Sequence, residues 1–202
     1  MDESMSQQED SLAALLMQDL DGHFRQLVET YQHQLYRLMY RQVGNAQDAE
    51  DIVQEAFLRA YYALRNYAMQ GVRLQRIRPW LYKIAFNLYY NRLRVAQPQI
   101  FPLDTQEGKM LLELESSDPG PEEIAGLQES FCEVTRFISL MPERYRAVLN
   151  LYYFEQFSYQ EIADMLHQPL GTVKSKVSRG LGLVRAALAD QRLERGEINE
   201  RT

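Results

Sequence analysis

The sequence contains little cysteine, glycine or proline and no long apolar run. Cys132 is its single cysteine, which excludes an intramolecular disulfide framework and a cysteine-based zinc site and fits a reducing, cytoplasmic setting. Ten glycines and seven prolines in 202 residues are too few for a turn-rich all-β chain. No stretch reaches about 18 apolar residues, so we expect neither a membrane-spanning helix nor membrane insertion. The first residues are acidic and do not resemble a secretory signal.

Charge is distributed unevenly along the chain. The net charge of −6 and the pI near 5.2 would argue against a nucleic-acid partner if the charges were evenly spread. Instead, residues 1–23 carry −6, residues 24–96 carry +6, residues 97–130 carry −7 and residues 131–202 carry +1. The segment from Lys174 to Arg185 holds four basic residues and no acid. This asymmetry indicates a division of labour between domains.

Helical periodicity predicts an all-α fold of two small helical domains joined by an extended acidic linker. Four prolines and weak periodicity distinguish the linker, whereas apolar residues recur at steps of three and four in both domains. The acidic N-terminal extension is interpreted as a free tail, although its leucines at 12, 15, 16 and 20 could form a short amphipathic helix. The predicted segments are the extension 1–23, the first domain 24–96, the linker 97–130, the second domain 131–189 and a charged tail 190–202.

Two amphipathic helices are predicted to begin the first domain. Apolar residues recur from Phe24 to Met39, Gly44 ends this helix, and Asn45 can cap the next. The second helix buries a stripe from Ala49 to Leu64 and presents acids beside apolar side chains on its other face. That face is compatible with a solvated surface or with a docking patch for a partner, and its spacing does not favour a metal site. Its residues are Asp48, Asp51, Glu55, Leu58 and Tyr62.

A third helix is predicted from Arg78-Pro79, because proline is favoured in the first helical turn. Its inner stripe would be Leu81, Ile84, Ala85 and Leu88. The outer side mixes cations, amides and aromatic rings, which pair with phosphates, contact base edges and stack on unpaired bases. Single-stranded nucleic acid is therefore a candidate ligand, and burial of the aromatic residues in the core is the alternative. The outward residues are Lys83, Asn87, Tyr90, Asn91 and Arg94, flanked by Trp80, Tyr82 and Phe86, and the preceding Asn66–Arg76 segment, predicted to be flexible, adds Arg73 and Arg76.

The second domain contains a predicted helix-turn-helix. Ser158 stands three residues before Glu161 and forms a capping box for a helix over Tyr159–Leu166. A turn over His167–Gly171 follows, and Thr172 is predicted to cap a helix with an apolar inner face and an acid-free outer face. The second helix of such a motif lies in the major groove, whereas an ordinary helical hairpin with a solvated basic face is the alternative. The outer residues are Lys174, Ser175, Ser178, Arg179 and Arg185, and Lys174, Lys176 and Arg179 would contact phosphates or guanines.

These segments, in this order, resemble the bacterial sigma-70 family of RNA polymerase sigma factors. The run Asp48–Phe57 is similar to the family's second helix, and Arg78–Asn87 is similar to its promoter-melting helix. Pro142–Arg146, Tyr159–Ala163 and Gly171–Lys176 resemble its C-terminal helix-turn-helix. The two-domain layout with a short linker is similar to the extracytoplasmic-function (ECF) group.

The resemblance implies a transcription initiation factor that binds core RNA polymerase, recognises the minus-thirty-five and minus-ten promoter elements and promotes DNA melting. It implies that the acidic linker runs through polymerase channels that otherwise hold nucleic acid, and that an anti-sigma factor is a possible partner. The implied polymerase-binding residues are Asp48, Asp51, Gln54, Glu55 and Leu58. The implied minus-ten residues are Arg73, Arg76, Trp80, Lys83, Asn87, Tyr90 and Arg94. The implied minus-thirty-five residues are Thr172, Lys174, Ser175, Lys176 and Arg179.

The chain departs from the family pattern at several positions. Phe86 and Asn91 stand where the family usually has Arg and Asp, and His167 replaces the usual turn glycine. Gly180 and Gly182 interrupt the recognition helix, and we expect the helix to fray or bend after Arg179, since glycine costs about 1 kcal/mol relative to alanine in a helix.

Two other classes of function remain as alternatives. A sigma-like decoy would sequester an anti-sigma factor without binding DNA and would need no DNA-binding face. An enzyme is disfavoured, because the three histidines lie in separate segments and no nucleophile–base pair or phosphate-binding loop is present. We therefore expect no catalytic residues, no metal and no cofactor.

Overall fold

The computed structural model describes the backbone of residues 3–72, 74, 76–96 and 131–194, and the side chains of 11–95 and 134–189 within those ranges. Over these residues the chain forms helices and no strand, which confirms the predicted all-α fold. It divides into two compact units, one built mainly on the helices before residue 102 and the other mainly on the helices after it. Arg73, the predicted linker 97–130 and the last residues of the predicted charged tail lie outside the described residues.

The N-terminal extension forms a packed helix, α1 (Glu3–Gln18). Leu12, Ala13 and Leu16 are buried, and α1 contacts α2 (Leu20–Val43), α3 (Ala46–Gln70) and α4 (Ile77–Ala96). Removing this apolar stripe from water stabilises the helix on the unit. The prediction of a free tail is therefore wrong, and the amphipathic helix considered beside it is confirmed.

Local capping defines the ends of α2 and α3. Gly44 takes a left-handed conformation (φ 74°) at the end of α2, and the Asn45 Oδ1 atom accepts hydrogen bonds from the backbone N–H groups of Gln47 (2.9 Å) and Asp48 (3.4 Å). Both features confirm the predicted break and cap. The helices are also joined by the Tyr61 hydroxyl, which donates to Asp21 at 2.6 Å; this hydrogen bond raises the pKa of Tyr61.

Helix α3 is longer than the sequence predicted. It continues to Gln70 and ends where Gly71 adopts a left-handed conformation, with φ 67°. Residues 66–70 are therefore helical, and the prediction of a flexible loop from Asn66 is wrong over this part. The physical reason is that no residue between Asn66 and Gln70 is a strong helix breaker, so the helix propagates to the first glycine.

The C-terminal unit contains α5 (Phe131–Leu140), α6 (Glu143–Leu149), a π-helical turn (Asn150–Phe154), α7 (Tyr159–Leu166) and α8 (Leu170–Glu194). Helix α8 packs against α6 and α5. The capping box before α7 is confirmed: the Glu161 Oε2 atom accepts from the Ser158 backbone N–H at 2.9 Å, and the Ser158 Oγ atom accepts from the Glu161 N–H at 3.3 Å. His167 has φ 54° in the turn that follows, a conformation histidine tolerates better than most residues.

Helix α8 begins earlier and continues further than predicted. Its first residue is Leu170, and the Pro169 carbonyl accepts hydrogen bonds from the backbone N–H groups of Thr172 (2.9 Å) and Val173 (3.1 Å). Thr172 therefore lies inside the first turn, and the prediction that it caps the helix is wrong. At the other end, the helix extends five residues past the predicted domain boundary at 189.

The glycines of α8 do not break it. We expected α8 to fray or bend after Arg179; of these two expectations the fraying is wrong, because the helix is continuous through Gly180 and Gly182. A Cβ atom at Gly180 would lie 2.8 Å from the Leu149 Cδ1 atom of α6. The missing side chain thus permits a close approach of α6 and α8, and packing between these helices offsets the unfavourable helix propensity of glycine.

Candidate functional site

One side of α3 presents the acidic face, defined by the five predicted residues Asp48, Asp51, Gln54, Glu55 and Leu58. All five are exposed or half-buried, and their spacing places them on one side of the helix. Leu58 is 51% exposed, and Tyr62, one turn further along, is 56% exposed. The structure therefore brings together carboxylates and uncovered apolar side chains, a combination suited to a protein partner that offers both cations and an apolar surface.

The carboxylates of the acidic face are each near a cation of the same chain. The Arg92 Nη1 atom of α4 lies 4.0 Å from Asp48 Oδ1 and 3.9 Å from Asp51 Oδ2. The Arg59 Nε atom donates to Glu55 Oε1 at 2.7 Å. Because all these side chains are substantially exposed, each pair contributes at most about 1 kcal/mol. A partner's cations can therefore replace the internal ones at little cost.

A groove of about 720 Å³ runs between α3 and α4 beside these pairs. On its α4 side, Asn91 was predicted to face outward, whereas Arg92 and Val95, which is 83% exposed, were not predicted to belong to a site. In the sequence, the steps of four and three from Leu88 through Arg92 to Val95 mark one face of a helix. This pattern could have been used to predict that the three residues lie together. The groove is lined by Asp51, Gln54, Glu55, Leu58 and Arg59 of α3 and by Leu88, Asn91, Arg92 and Val95 of α4.

Helix α4 carries a narrow polar stripe, the α4 stripe, made of Trp80, Lys83, Asn87, Tyr90 and Arg94. Steps of three and four place these five predicted residues on one side of the helix, within an arc of about 80°. Asn87 and Arg94 are exposed and the other three are half-buried. Arg76 is exposed just before the helix, and Arg73 is outside the described residues. The structure thus groups two cations, an amide and two aromatic rings on one surface.

The aromatic residues predicted to flank this stripe are in the core instead. Tyr82 and Phe86 are fully buried, and the alternative of core burial is correct for both. The Phe86 ring lies 6.2 Å from that of Tyr90, so the buried residue supports an aromatic member of the stripe from below. Ile84, predicted to be buried, is only half-buried. The Tyr67 ring of α3 lies 6.1 Å from that of Trp80, a neighbour that the sequence did not reveal.

Helix α8 presents the α8 arc, which contains the predicted residues Thr172, Lys174, Ser175, Lys176 and Arg179. Lys174 and Arg179 are exposed, and the other three are half-buried. The opposite side of the helix is apolar and buried, as predicted. Lys174 and Lys176 lie at opposite edges of the arc, because residues two positions apart in an α-helix are rotated by about 200° around its axis. Polar and basic side chains on the outer surface of the second helix are what major-groove contact requires.

Neither a metal centre nor a spanning segment is present in the described part of the chain. No group of three or more His, Cys, Asp or Glu side chains there is arranged to hold a metal ion. Within the same residues, no helix is long and apolar enough to cross a membrane.

Comparisons with known proteins match both units. The family described as Sigma-70 region 2 matches residues 27–98, and the family described as Sigma-70, region 4 matches residues 133–183. The ECF RNA polymerase sigma factor SigW of Bacillus subtilis is 34% identical over 172 residues, which cover 83% of this chain and 89% of SigW. The ECF RNA polymerase sigma-E factor of Escherichia coli is 34% identical over 164 residues, which cover 77% of this chain and 81% of that protein.

Two solved structures share the fold. The structure of CnrH in complex with the cytosolic domain of CnrY has a TM-score of 0.60 at 18% identity and covers 90% of this chain and 97% of that one. The sigma factor RpoE in complex with the anti-sigma factor NepR, from Bartonella quintana, has a TM-score of 0.56 at 20% identity, with coverage of 82% and 96%.

Proposed function

The chain belongs to the ECF group of the sigma-70 family of RNA polymerase sigma factors, and we propose that it binds core RNA polymerase, recognises the minus-thirty-five and minus-ten promoter elements and promotes DNA melting. Members of this family are regulatory transcription initiation factors rather than enzymes. We expect the protein to act in the cytoplasm, where bacterial RNA polymerase transcribes DNA.

The observation that carries the proposal is that one chain presents both the α4 stripe and the α8 arc. The α4 stripe combines cations, an amide and aromatic rings, which is the chemistry that unpaired bases require. The α8 arc combines lysine, arginine and hydroxyl side chains on the second helix of a helix-turn-helix, which is the chemistry that duplex DNA requires. A protein with both surfaces is suited to hold a promoter at one element while it opens another.

Docking on core polymerase is assigned to the acidic face of α3. Its carboxylates are near Arg92 and Arg59, and exposed pairs of this kind exchange readily for the cations of a partner. Leu58 supplies apolar contact area next to these charges. We propose that Asp48, Asp51, Gln54, Glu55 and Leu58 contact the coiled-coil clamp of the polymerase.

Melting is assigned to the α4 stripe. Unstacking a base costs a few kcal/mol, and the free energy must come from binding the extruded base. Trp80 and Tyr90 offer ring faces for stacking, Asn87 offers an amide for base edges, and Lys83 and Arg94 neutralise phosphates. The chain therefore performs no chemistry itself and opens the duplex by capturing the non-template strand. Arg73 and Arg76 are proposed to extend this binding surface.

The decoy alternative is less well supported. A decoy needs no DNA face, yet Asn87, Arg94, Lys174 and Arg179 are all exposed on surfaces of matching chemistry. Two structurally similar proteins, CnrH and RpoE, are found in complex with the cytosolic domain of CnrY and with the anti-sigma factor NepR. We therefore propose that an anti-sigma factor is a regulatory partner of this chain in addition to its promoter function.

In vitro transcription with purified core polymerase on a library of promoter sequences tests the proposal. We expect specific transcripts only when the chain is added, from templates that share two short elements separated by a constant spacing. If the chain binds core polymerase but yields no transcript from any template, the decoy function replaces the one proposed.

A further inference from the structure

Two tyrosines form a stacked pair beside the recognition helix. Tyr152 lies in the π-helical turn and Tyr159 is the first residue of α7. Their ring centroids are 4.9 Å apart and the planes differ by only 6°. Both side chains are half-buried, so the pair is held by the fold while part of its surface remains in contact with solvent. Because Tyr152 stacks on it, the Tyr159 ring presents an electron-rich face in a fixed position.

A cation of the α8 arc lies near this face. The Lys174 Nζ atom lies 5.8 Å from the centroid of the Tyr159 ring, within the distance at which an ammonium is attracted by an aromatic face. Lysine has a flexible four-carbon stem that loses conformational entropy when its charge is localised. Contact with a fixed ring reduces the number of positions available to the ammonium before any partner arrives.

Lys176 differs from Lys174 in its partner and in its place on α8. The Lys176 Nζ atom donates to the Gln168 Oε1 atom at 3.0 Å, and Gln168 belongs to the turn that joins α7 to α8. Lys176 is half-buried, whereas Lys174 is exposed. Lys176 is thus engaged with the turn, while Lys174 extends from the opposite edge of the α8 arc against the tyrosine pair.

We propose that Tyr159, supported by Tyr152, is a positioning residue that holds the Lys174 ammonium at the edge of the α8 arc for a phosphate of the duplex. The inference rests on the proposed promoter function of α8. The ring attracts the ammonium but carries no net charge, so the contact itself does not neutralise the cation that a phosphate would meet. A localised cation gains affinity because less entropy is lost when the duplex binds.

The test compares Tyr159→Phe with Tyr159→Leu in holoenzyme formed from core polymerase and the full chain. The probe is a duplex fragment that the wild-type holoenzyme selects from the promoter library. We expect Tyr159→Leu to weaken binding about two- to fivefold, within the entropic cost of immobilising one long side chain, and Tyr159→Phe to retain wild-type affinity because the ring remains. Circular dichroism of each variant checks that the helices are intact.

Two lysine backgrounds separate positioning from a general structural effect. In Lys174→Ala, addition of Tyr159→Leu should cause no further loss, whereas in the control background Lys176→Ala it should still cause the full loss. Equal losses in both backgrounds would overturn the proposal, as would a Tyr159→Phe variant as weak as Tyr159→Leu.

A measurement on the free chain distinguishes failure of this inference from failure of the promoter function. The tyrosine ring should shift the Lys174 ε-methylene protons upfield in the NMR spectrum, and this shift should vanish in Tyr159→Leu and persist in Tyr159→Phe. Absence of the shift in the wild-type chain overturns the inference whatever the promoter assays give. A normal shift in a chain whose holoenzyme binds no promoter instead contradicts the proposed function.

Discussion

The two units support their polar surfaces with different sets of buried side chains. In the N-terminal unit, the buried side of α4 includes three aromatic side chains, Tyr82, Phe86 and Tyr89, beside aliphatic ones such as Leu81. In the C-terminal unit, α8 rests on small and aliphatic residues such as Val173, Val177 and Gly180. The α4 stripe spans about 80° of its helix and includes two rings, whereas the α8 arc spans about 200° and includes none; Arg92 and Val95 of α4 are exposed outside the stripe.

This difference fits the shapes of the two proposed ligands. A single strand can follow a narrow stripe and insert bases one at a time against fixed rings. A duplex accepts a whole helix in its major groove, so the recognition helix must be exposed around much of its circumference. The comparison predicts that the N-terminal unit is sensitive to loss of core volume, whereas the C-terminal unit is sensitive to added volume between α6 and α8.

The largest effect is expected from removal of core volume under α1. Leu16 is fully buried, so Leu16→Ala should lower the free energy of unfolding of the N-terminal unit by about 2–5 kcal/mol. Urea unfolding followed by circular dichroism measures the change. Ala14→Ser, on the exposed side of α1, is the control and should be nearly neutral. A neutral Leu16→Ala would mean that α1 is not part of the core.

Charge reversal on the acidic face should separate docking from DNA recognition. We expect Asp51→Lys with Glu55→Lys to weaken core polymerase binding by about 2 kcal/mol or more, because like charges would then face each other across the interface. Glu50→Lys is the control for each single reversal, Asp51→Lys or Glu55→Lys, since it reverses one carboxylate of α3 outside the acidic face. Equal affinity of both single reversals and the control in a binding titration would locate the docking surface elsewhere.

Added volume at the α6–α8 contact should destabilise the C-terminal unit. Gly180→Ala would bring a Cβ atom to 2.8 Å from Leu149, and we expect a loss of about 1–2 kcal/mol despite the better helix propensity of alanine. Gly171→Ala in the same helix has no neighbour within 4 Å and should be neutral or stabilising by up to about 1 kcal/mol. Thermal unfolding compares the two; a stabilised Gly180→Ala would contradict the close approach described above.

The smallest effect is expected at Arg92. Its distances of 3.9 and 4.0 Å from two docking carboxylates make it an internal competitor of the polymerase. Arg92→Gln should therefore tighten core binding by less than about 1 kcal/mol, which is at most about fivefold, and the effect should shrink at high salt. Arg94→Gln removes a neighbouring cation of the α4 stripe and serves as the control. Weaker binding by Arg92→Gln would mean that Arg92 itself contacts the polymerase.

Features with local causes were predictable from the sequence. The caps at Asn45 and Ser158 depend on residues two or three positions away, and they form as expected. The α4 stripe also depends only on helical spacing. Such features follow from backbone hydrogen bonding and periodicity, which do not require knowledge of the rest of the fold.

Features that depend on packing between helices were not predictable in the same way. Because the first residues are acidic, the sequence predicted a free tail there. The burial of Leu12 and Leu16 depends on α2, α3 and α4, which α1 contacts. The burial of Tyr82 and Phe86 depends on which sides of α4 its neighbours cover. The role of Gly180 depends on Leu149, thirty-one positions earlier in the chain, so sequence rules for an isolated helix predicted fraying or bending where a close contact exists.

Permanganate footprinting of unpaired thymines at the minus-ten element tests the central claim that α4 opens the promoter while α8 anchors it. At saturating concentration, we expect holoenzyme that carries Asn87→Ala to protect the minus-thirty-five element. The thymines of the minus-ten element should nevertheless lose their reactivity. Arg179→Ala should need more holoenzyme, by a factor equivalent to about 1–3 kcal/mol, but reach wild-type reactivity at saturation. Two results would contradict this division of labour. One is wild-type thymine reactivity with the Asn87→Ala holoenzyme, and the other is loss of thymine reactivity with saturating Arg179→Ala holoenzyme.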